Sequence, residues 1–303
     1  MNNLDLSVDF AGVTLKNPVT TASGTFSARE SGEFYDINEL GAVITKGVAS
    51  EPWAGNPTPR IAETYGGMLN AVGLQNPGAV AFIEQEISYL KDFDTRIIAN
   101  VAGRTIEEYC SVVEMLNETD VAMMEINISC PNVKKGGIGF GTDPRMAAEV
   151  TKAVKAISRK PIIIKLTPNV TDITEIAKAV EAEGADGVSL INTLLGMKID
   201  TQRKKPVLAN IMGGLSGPAV KPVAVRMVYQ VRRAVNIPIM GLGGIMTGED
   251  AAEFIMAGAD IISVGTAALV NPTAPVDILQ ELKLYMQEQG FKTIADIRGA
   301  FNA

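Results

Sequence analysis

IPIMGLGGIMTGEDAAEFIMAGADIISVGTAAL, residues 237–269, reads as strand, glycine turn, helix, glycine closer, strand and second glycine turn. The expected strands, 237–240 and 260–264, are compact apolar runs bounded by glycine or polar residues, the pattern of strands buried on both faces. The helix expected at 248–257 follows Thr247, carries Glu249 and Asp250 in its first turn, and closes at Gly258. Acids suit the positive end of a helix, and glycine suits the left-handed position just past its last turn.

On either side the same unit recurs. Strands are expected at 19–22, 42–46, 97–101, 122–126, 161–166 and 187–191, and helices at 78–90, 106–116, 143–157, 171–183 and 218–234. Thr105 with Glu108 three residues on forms a capping box, and EAEGADG (181–187) repeats the glycine closer. Eight strands, each followed by a connection long enough for a parallel crossover, predict an α/β fold: a closed (β/α)8 TIM barrel. An open doubly wound sheet allows the same alternation, but no GxGxxG stands between the first strand and the first helix. A barrel needs about 250 residues, so residues 1–303 are expected to form one domain. An N-terminal hairpin, 7–10 with 13–15, is expected over the barrel floor. Two loop insertions, 49–74 and 193–217, are expected to rise over the C-terminal face, where barrels bind substrates.

Composition narrows the function. Apolar residues are 47% and charged residues 20%, a globular balance. The net charge of −7, with no basic stretch, argues against a nucleic-acid or acidic-membrane partner. No apolar run approaches the ~18 residues needed to cross a bilayer, and MNNLDLSVDF has no signal-peptide pattern. Two cysteines, Cys110 and Cys130, make no CxxC pair, so a reducing, cytoplasmic setting is expected. There is no histidine, which removes the commonest general base and a common metal ligand. Acid–base work falls to Cys, Lys, Tyr or a carboxylate, and no metal site is expected.

The two glycine turns, with Gly241, Gly243 and Gly244 in one and Gly265 and Thr266 in the other, stand at adjacent strand ends. Bare backbone N–H groups there favour a phosphate, although a single such turn would only mean a tight connection. GGLSGPA, with Gly213, Gly214, Ser216 and Gly217, offers further donors ahead of a helix. EINISCPNVKKGG (125–137) gathers Asn127, Ser129, Cys130 and Asn132 past the fourth strand. On frequency alone Cys130 is a small buried thiol; its polar neighbours and the absent histidine point instead to chemistry. Cys110 falls within a helical run and reads as structural. Lys46 and Lys165 close apolar strands: each either snorkels to water or offers a fixed cation to an anionic ligand. Asn70, Asn100, Asn127 and Asn192 also follow apolar runs and together suit a planar polar ligand.

These motifs resemble the dihydroorotate dehydrogenase family. ASGTF (22–26), NPTPR (56–60), MLNAVGLQNPG (68–78), NISCPN (127–132), INTL (191–194) and GGLSGPA (213–219) match in order across nearly the whole chain. The resemblance implies an FMN-dependent oxidation of (S)-dihydroorotate to orotate in pyrimidine biosynthesis. It implies Cys130 as the base for the C5 proton, with hydride passing from C6 to flavin N5. It places Lys46, Asn70, Gly73, Leu74, Asn127, Asn132, Asn192 and Thr193 on the substrate. It places Ser23, Lys46, Asn100, Asn127, Lys165, Ile191, Gly217, Gly243, Gly244, Gly265 and Thr266 on FMN. INTLLGMKID (191–200) and GLSGPAVKPVAVRMVYQV (214–231) look most like the type 1B catalytic subunit. That resemblance implies a homodimer of this chain with two copies of a subunit carrying FAD and [2Fe–2S], passing electrons to NAD+. Rival readings are a flavin barrel acting on uracil-type pyrimidines, the fumarate-using type 1A enzyme, and a catalytically silent barrel.

Overall fold

The computed structural model describes residues 4–129, 131–132 and 138–301. Eight parallel strands close into a barrel: β1 Val19–Thr21, β2 Ala42–Ile44, β3 Arg96–Val101, β4 Met123–Asn127, β5 Ile162–Lys165, β6 Gly187–Leu190, β7 Ile239–Leu242 and β8 Ile261–Val264. Each pairs with its sequence neighbours, and β8 returns to β1 through Ile262 opposite Val19 and Val264 opposite Thr21. All eight expected strands are present, with ends shifted by one or two residues. The closed order rules out the open sheet. Short apolar runs form these strands because they are covered twice, by helices outside and by packed side chains inside. Ile162, Ile163 and Ile164, for example, are all fully buried.

The expected helices form at Ile106–Asn117, Pro144–Ile157, Ile173–Ala182, Lys221–Arg232 and Gly248–Ala257. Thr247 and Asp250 make a reciprocal capping box, and Gly258 ends that helix at φ +119°. The Thr105 box is only half made: Thr105 accepts the Glu108 N–H, but the Glu108 side chain accepts from Arg104 instead. The region expected as one helix over 78–90 is continuous but carries a π-helical turn, Ile83–Ile87, at its centre. Helices at Ala274–Gln289 and Ile294–Gly299 pack outside the barrel and were not expected.

The hairpin pairs Val8–Phe10 with Val13–Leu15. Phe10 is fully buried, and its ring lies 3.4 Å from where a Cβ on Gly187 would sit, at the entrance of β6. It therefore covers the amino-terminal end, as expected.

The two insertions are not plain loops. They meet in a four-stranded antiparallel sheet ordered Leu194–Met197, Met212–Ser216, Gly67–Asn70 and Ile61–Thr64. Ala62, Leu69, Ala71 and Leu208 form a small second core under it. Gly213 and Gly214 lie inside this sheet, where a Cβ would strike Asn70 O at 2.6 Å and Thr193 Oγ1 at 1.9 Å. They are strand glycines and not loop donors; of the expected set Ser216 ends the strand and lines the cavity beneath the sheet, and Gly217 follows it ahead of the helix. Neither insertion shows strict alternation, so the pairing became visible only once the barrel brought them together.

Candidate active site

A cavity of about 430 Å³ opens at the carboxy-terminal ends of the strands, beneath that sheet. Of the expected site residues it is lined by Ser23, Lys46, Asn70, Gly73, Leu74, Asn127, Lys165, Ile191, Asn192, Thr193, Gly243, Gly244, Gly265 and Thr266. Residues separated by more than 200 positions thus face one space. Two expected residues do not line it. Gly217 stands behind Gly244, and Asn100 is fully buried at the end of β3. Cys130 lies outside the described residues, as does the side chain of Asn132.

One wall is the pair of glycine turns. Gly244 has φ +87°, and a Cβ on it would come 2.6 Å from Gly217 O. Only glycine allows both the backbone sign and the approach. Gly265 caps the short helix Thr266–Val270, whose first-turn N–H groups have no acceptor within the helix. Gly241 is a correction: it sits inside β7, where a Cβ would meet the Phe254 ring at 2.7 Å. Helix packing, not ligand contact, accounts for that glycine.

The opposite wall is built on amides. Asn127 Oδ1 accepts the Ser129 N–H at 3.2 Å, and its carbonyl accepts the Tyr109 hydroxyl at 2.6 Å. Asn192 Nδ2 donates to Ser129 Oγ at 2.9 Å and to Asn127 Oδ1 at 3.3 Å. These bonds hold the two amides side by side at the ends of β4 and β6. Arg60 links the segments on either side of Asn70, donating to Asn56 O and Gln75 Oε1, both at 2.5 Å.

The two strand-end lysines differ. Lys165 is 5% exposed and donates to Glu125 Oε2 at 3.3 Å. Lys46 is half-buried and makes no hydrogen bond or ion pair among the described residues. Burial pushes its ammonium below the ordinary lysine value, because a cation stripped of water without a counter-charge is disfavoured.

None of the sequence motifs singles out Glu125. It is fully buried, with Oε2 accepting from Asn100 Nδ2 at 2.5 Å and Oε1 from Ser189 Oγ at 2.6 Å. The available signal was a carboxylate inside the apolar strand run AMMEI, since buried charge demands partners.

The dihydroorotate dehydrogenase family model matches residues 5–286. Proteins named dihydroorotate dehydrogenase B (NAD(+)), catalytic subunit, provide relatives across the full length. That of Alkaliphilus metalliredigens is 63% identical over 301 residues, covering 99% of this chain and 100% of its own. That of Alkaliphilus oremlandii is 61% identical over 300 residues, 99% of each. That of Geobacter sulfurreducens is 54% identical over 302 residues, again 99% of each.

Proposed function

The chain belongs to the dihydroorotate dehydrogenase family, and on that premise we propose that it works as one FMN-binding domain oxidising (S)-dihydroorotate to orotate. The observation that carries this reading is one cavity in which Lys46, Asn70, Asn127 and Asn192 face the glycine turns after β7 and β8. Amides suit the ureide and imide edges of the pyrimidine, and a lysine with no partner among the described residues suits its carboxylate. Asn132, Gly73, Leu74 and Thr193 complete the proposed substrate contacts.

The donor set fits FMN. Gly243, Gly244, Gly265 and Thr266 offer backbone N–H groups to a phosphate, with Gly217 close behind. A Cβ on Gly265 would meet only the Ala22 methyl, at 3.4 Å, so the missing side chain leaves room for a ligand. Asn100 Oδ1 is buried without a partner among the described residues and faces Gly47 rather than the cavity, so the proposed FMN contact of Asn100 rests on the family motif. Ser23, Ile191 and Lys165 would flank the ring. When bound, FMN supplies the two-electron acceptor for the hydride leaving C6. Cys130 removes the C5 proton, a task a thiolate performs near neutral pH where cations stand close. This role rests on the NISCPN motif and the family.

Electrons leave through a partner. The relatives are named NAD(+)-linked catalytic subunits, which supports a separate subunit reaching NAD+. We assign that subunit FAD and [2Fe–2S], in a heterotetramer with a homodimer of this chain at its centre. Its setting is the cytoplasm, and no helix among the described residues is long and apolar enough to cross a membrane.

The purified chain is expected to show a flavin spectrum that bleaches anaerobically with dihydroorotate and not with dihydrouracil. Cys130→Ala keeps the flavin but slows its reduction at least ~100-fold, the usual worth of a positioned base. A colourless protein that takes up no FMN refutes the reading, and an unaltered reduction rate removes Cys130 from it. Turnover with NAD+ only when the partner is added, and none with fumarate, separates type 1B from type 1A.

A further inference from the structure

Glu125 sits at the middle of the barrel wall with no exposed surface. Its carboxylate gathers side chains from three other strands: Asn100 at the end of β3, Lys165 on β5 and Ser189 on β6. Of these four, Lys165 alone lines the cavity. Its ammonium has three N–H donors, and among the described residues one of them is spent on Glu125. The cluster therefore joins a buried anion, through a cation, to the surface a ligand would touch.

Buried ion pairs are seldom the most stable way to fill a core, since apolar side chains of similar volume do as well or better. Nor does this pair tie the barrel to an outer helix, as the ion pairs at the opposite end do. We propose that Glu125 is a positioning residue for the redox centre: it holds Lys165 and Asn100 in place, and its negative charge restrains how strongly Lys165 favours the reduced cofactor. The inference rests on the FMN reading above. Two-electron reduction makes the ring more negative. Lys165 stabilises that change, and an anion 3.3 Å behind Lys165 Nζ opposes it.

Three variants isolate charge from shape, read as the midpoint potential of bound FMN in equilibrium with a reference dye. Glu125→Gln keeps the volume and most hydrogen bonds but removes the anion. The ratio of reduced to oxidised FMN affinity is expected to rise about tenfold, ~30 mV for a two-electron couple. Glu125→Asp withdraws the charge by one methylene and is expected to raise the ratio about threefold, ~15 mV. It also carries the test should the Gln variant not fold. Ser189→Ala removes a neutral partner and leaves the ratio within twofold of wild type. Equal shifts in all three, a fall in potential, or no shift in either Glu125 variant overturns the proposal while leaving the FMN reading intact. A wild-type chain that binds no FMN overturns both.

Discussion

At the amino-terminal end of the barrel Asp260 accepts from Arg232, Arg298 and the Ile239 N–H, whereas at the carboxy-terminal end Lys46 meets no counter-charge among the described residues. The pattern extends around each rim. Asp186 takes Lys155 at 2.6 Å and the Ile162 N–H at 2.9 Å, and Lys160 holds the carbonyls of Thr119 and Val121. Opposite them lie the glycine turns and an Asn100 Oδ1 that has no hydrogen-bond partner among the described residues. One end spends its polar groups on joining helices to strands. The other ties Asn127, Asn192 and Lys165 to neighbouring groups but leaves Lys46 without a partner among the described residues, at the face where we propose the ligand binds. A strand's two ends thus divide stability from binding, as barrel architecture permits.

Asp260→Ala is the strongest way to break this division. It leaves Arg298, one amine of Arg232 and a strand N–H without their acceptor; Arg232 keeps the Gly258 carbonyl, and both arginines are partly exposed, which moderates the loss. We expect destabilisation of about 3 kcal/mol, a fall in Tm of roughly 5 °C, and unchanged flavin reduction per folded molecule. A large loss of activity without a shift in Tm would deny that this end is structural. Lys46→Met should do the reverse. Loss of one charged hydrogen bond to the substrate carboxylate, about 2 kcal/mol, raises the dihydroorotate KM about thirtyfold. The Tm of ligand-free protein stays level or rises, because a desolvated cation has been removed.

A smaller effect sharpens the same contrast through pH. The folded state depresses the Lys46 pKa, so the unfolded chain binds more protons, and stability from this group rises with pH. The penalty is complete below the depressed value and vanishes as pH climbs to the ordinary 10.5. Any stability advantage of Lys46→Met, measured by urea unfolding without ligand, should therefore shrink across that window. A constant advantage would assign it to packing. Smallest of all is Glu118→Ala. Its ion pair with Arg159 also lies toward the amino-terminal end, but both side chains are at least 70% exposed. The change should stay within about 0.5 kcal/mol in the same unfolding experiment. A Tm loss like that of Asp260→Ala would show that position, not burial, gives these pairs their worth.

Local patterning carried the barrel strands and principal helices, because buried strands and amphipathic helices each write a period into the chain. MTGEDAAEFIMAGAD holds its own start and stop signals, and the helix Gly248–Ala257 obeys both. The Thr266 and Gly244 turns were also legible, since glycine at a strand end has few other uses. Gly241, Gly213 and Gly214 were misread for the same reason: a glycine looks alike whether a ligand or a neighbouring side chain demands it. The antiparallel sheet over the mouth joins segments more than 120 residues apart, and no local period announces such a pairing. Glu125 and Ser189 passed as interruptions of apolar strands.

By itself the sequence determined the alternation of strands and helices, the lack of histidine and the motifs of the family, because these are properties of residue order and type. Only the tertiary structure decided which strand-end lysine is paired and which has no partner among the described residues. Lys46 and Lys165 stand in equivalent local settings. What separates them is a carboxylate on another strand, brought within 3.3 Å of Lys165 by the pairing of β4 with β5. Charge partners are set by distance in space, and the chain fixes that distance only once it has folded.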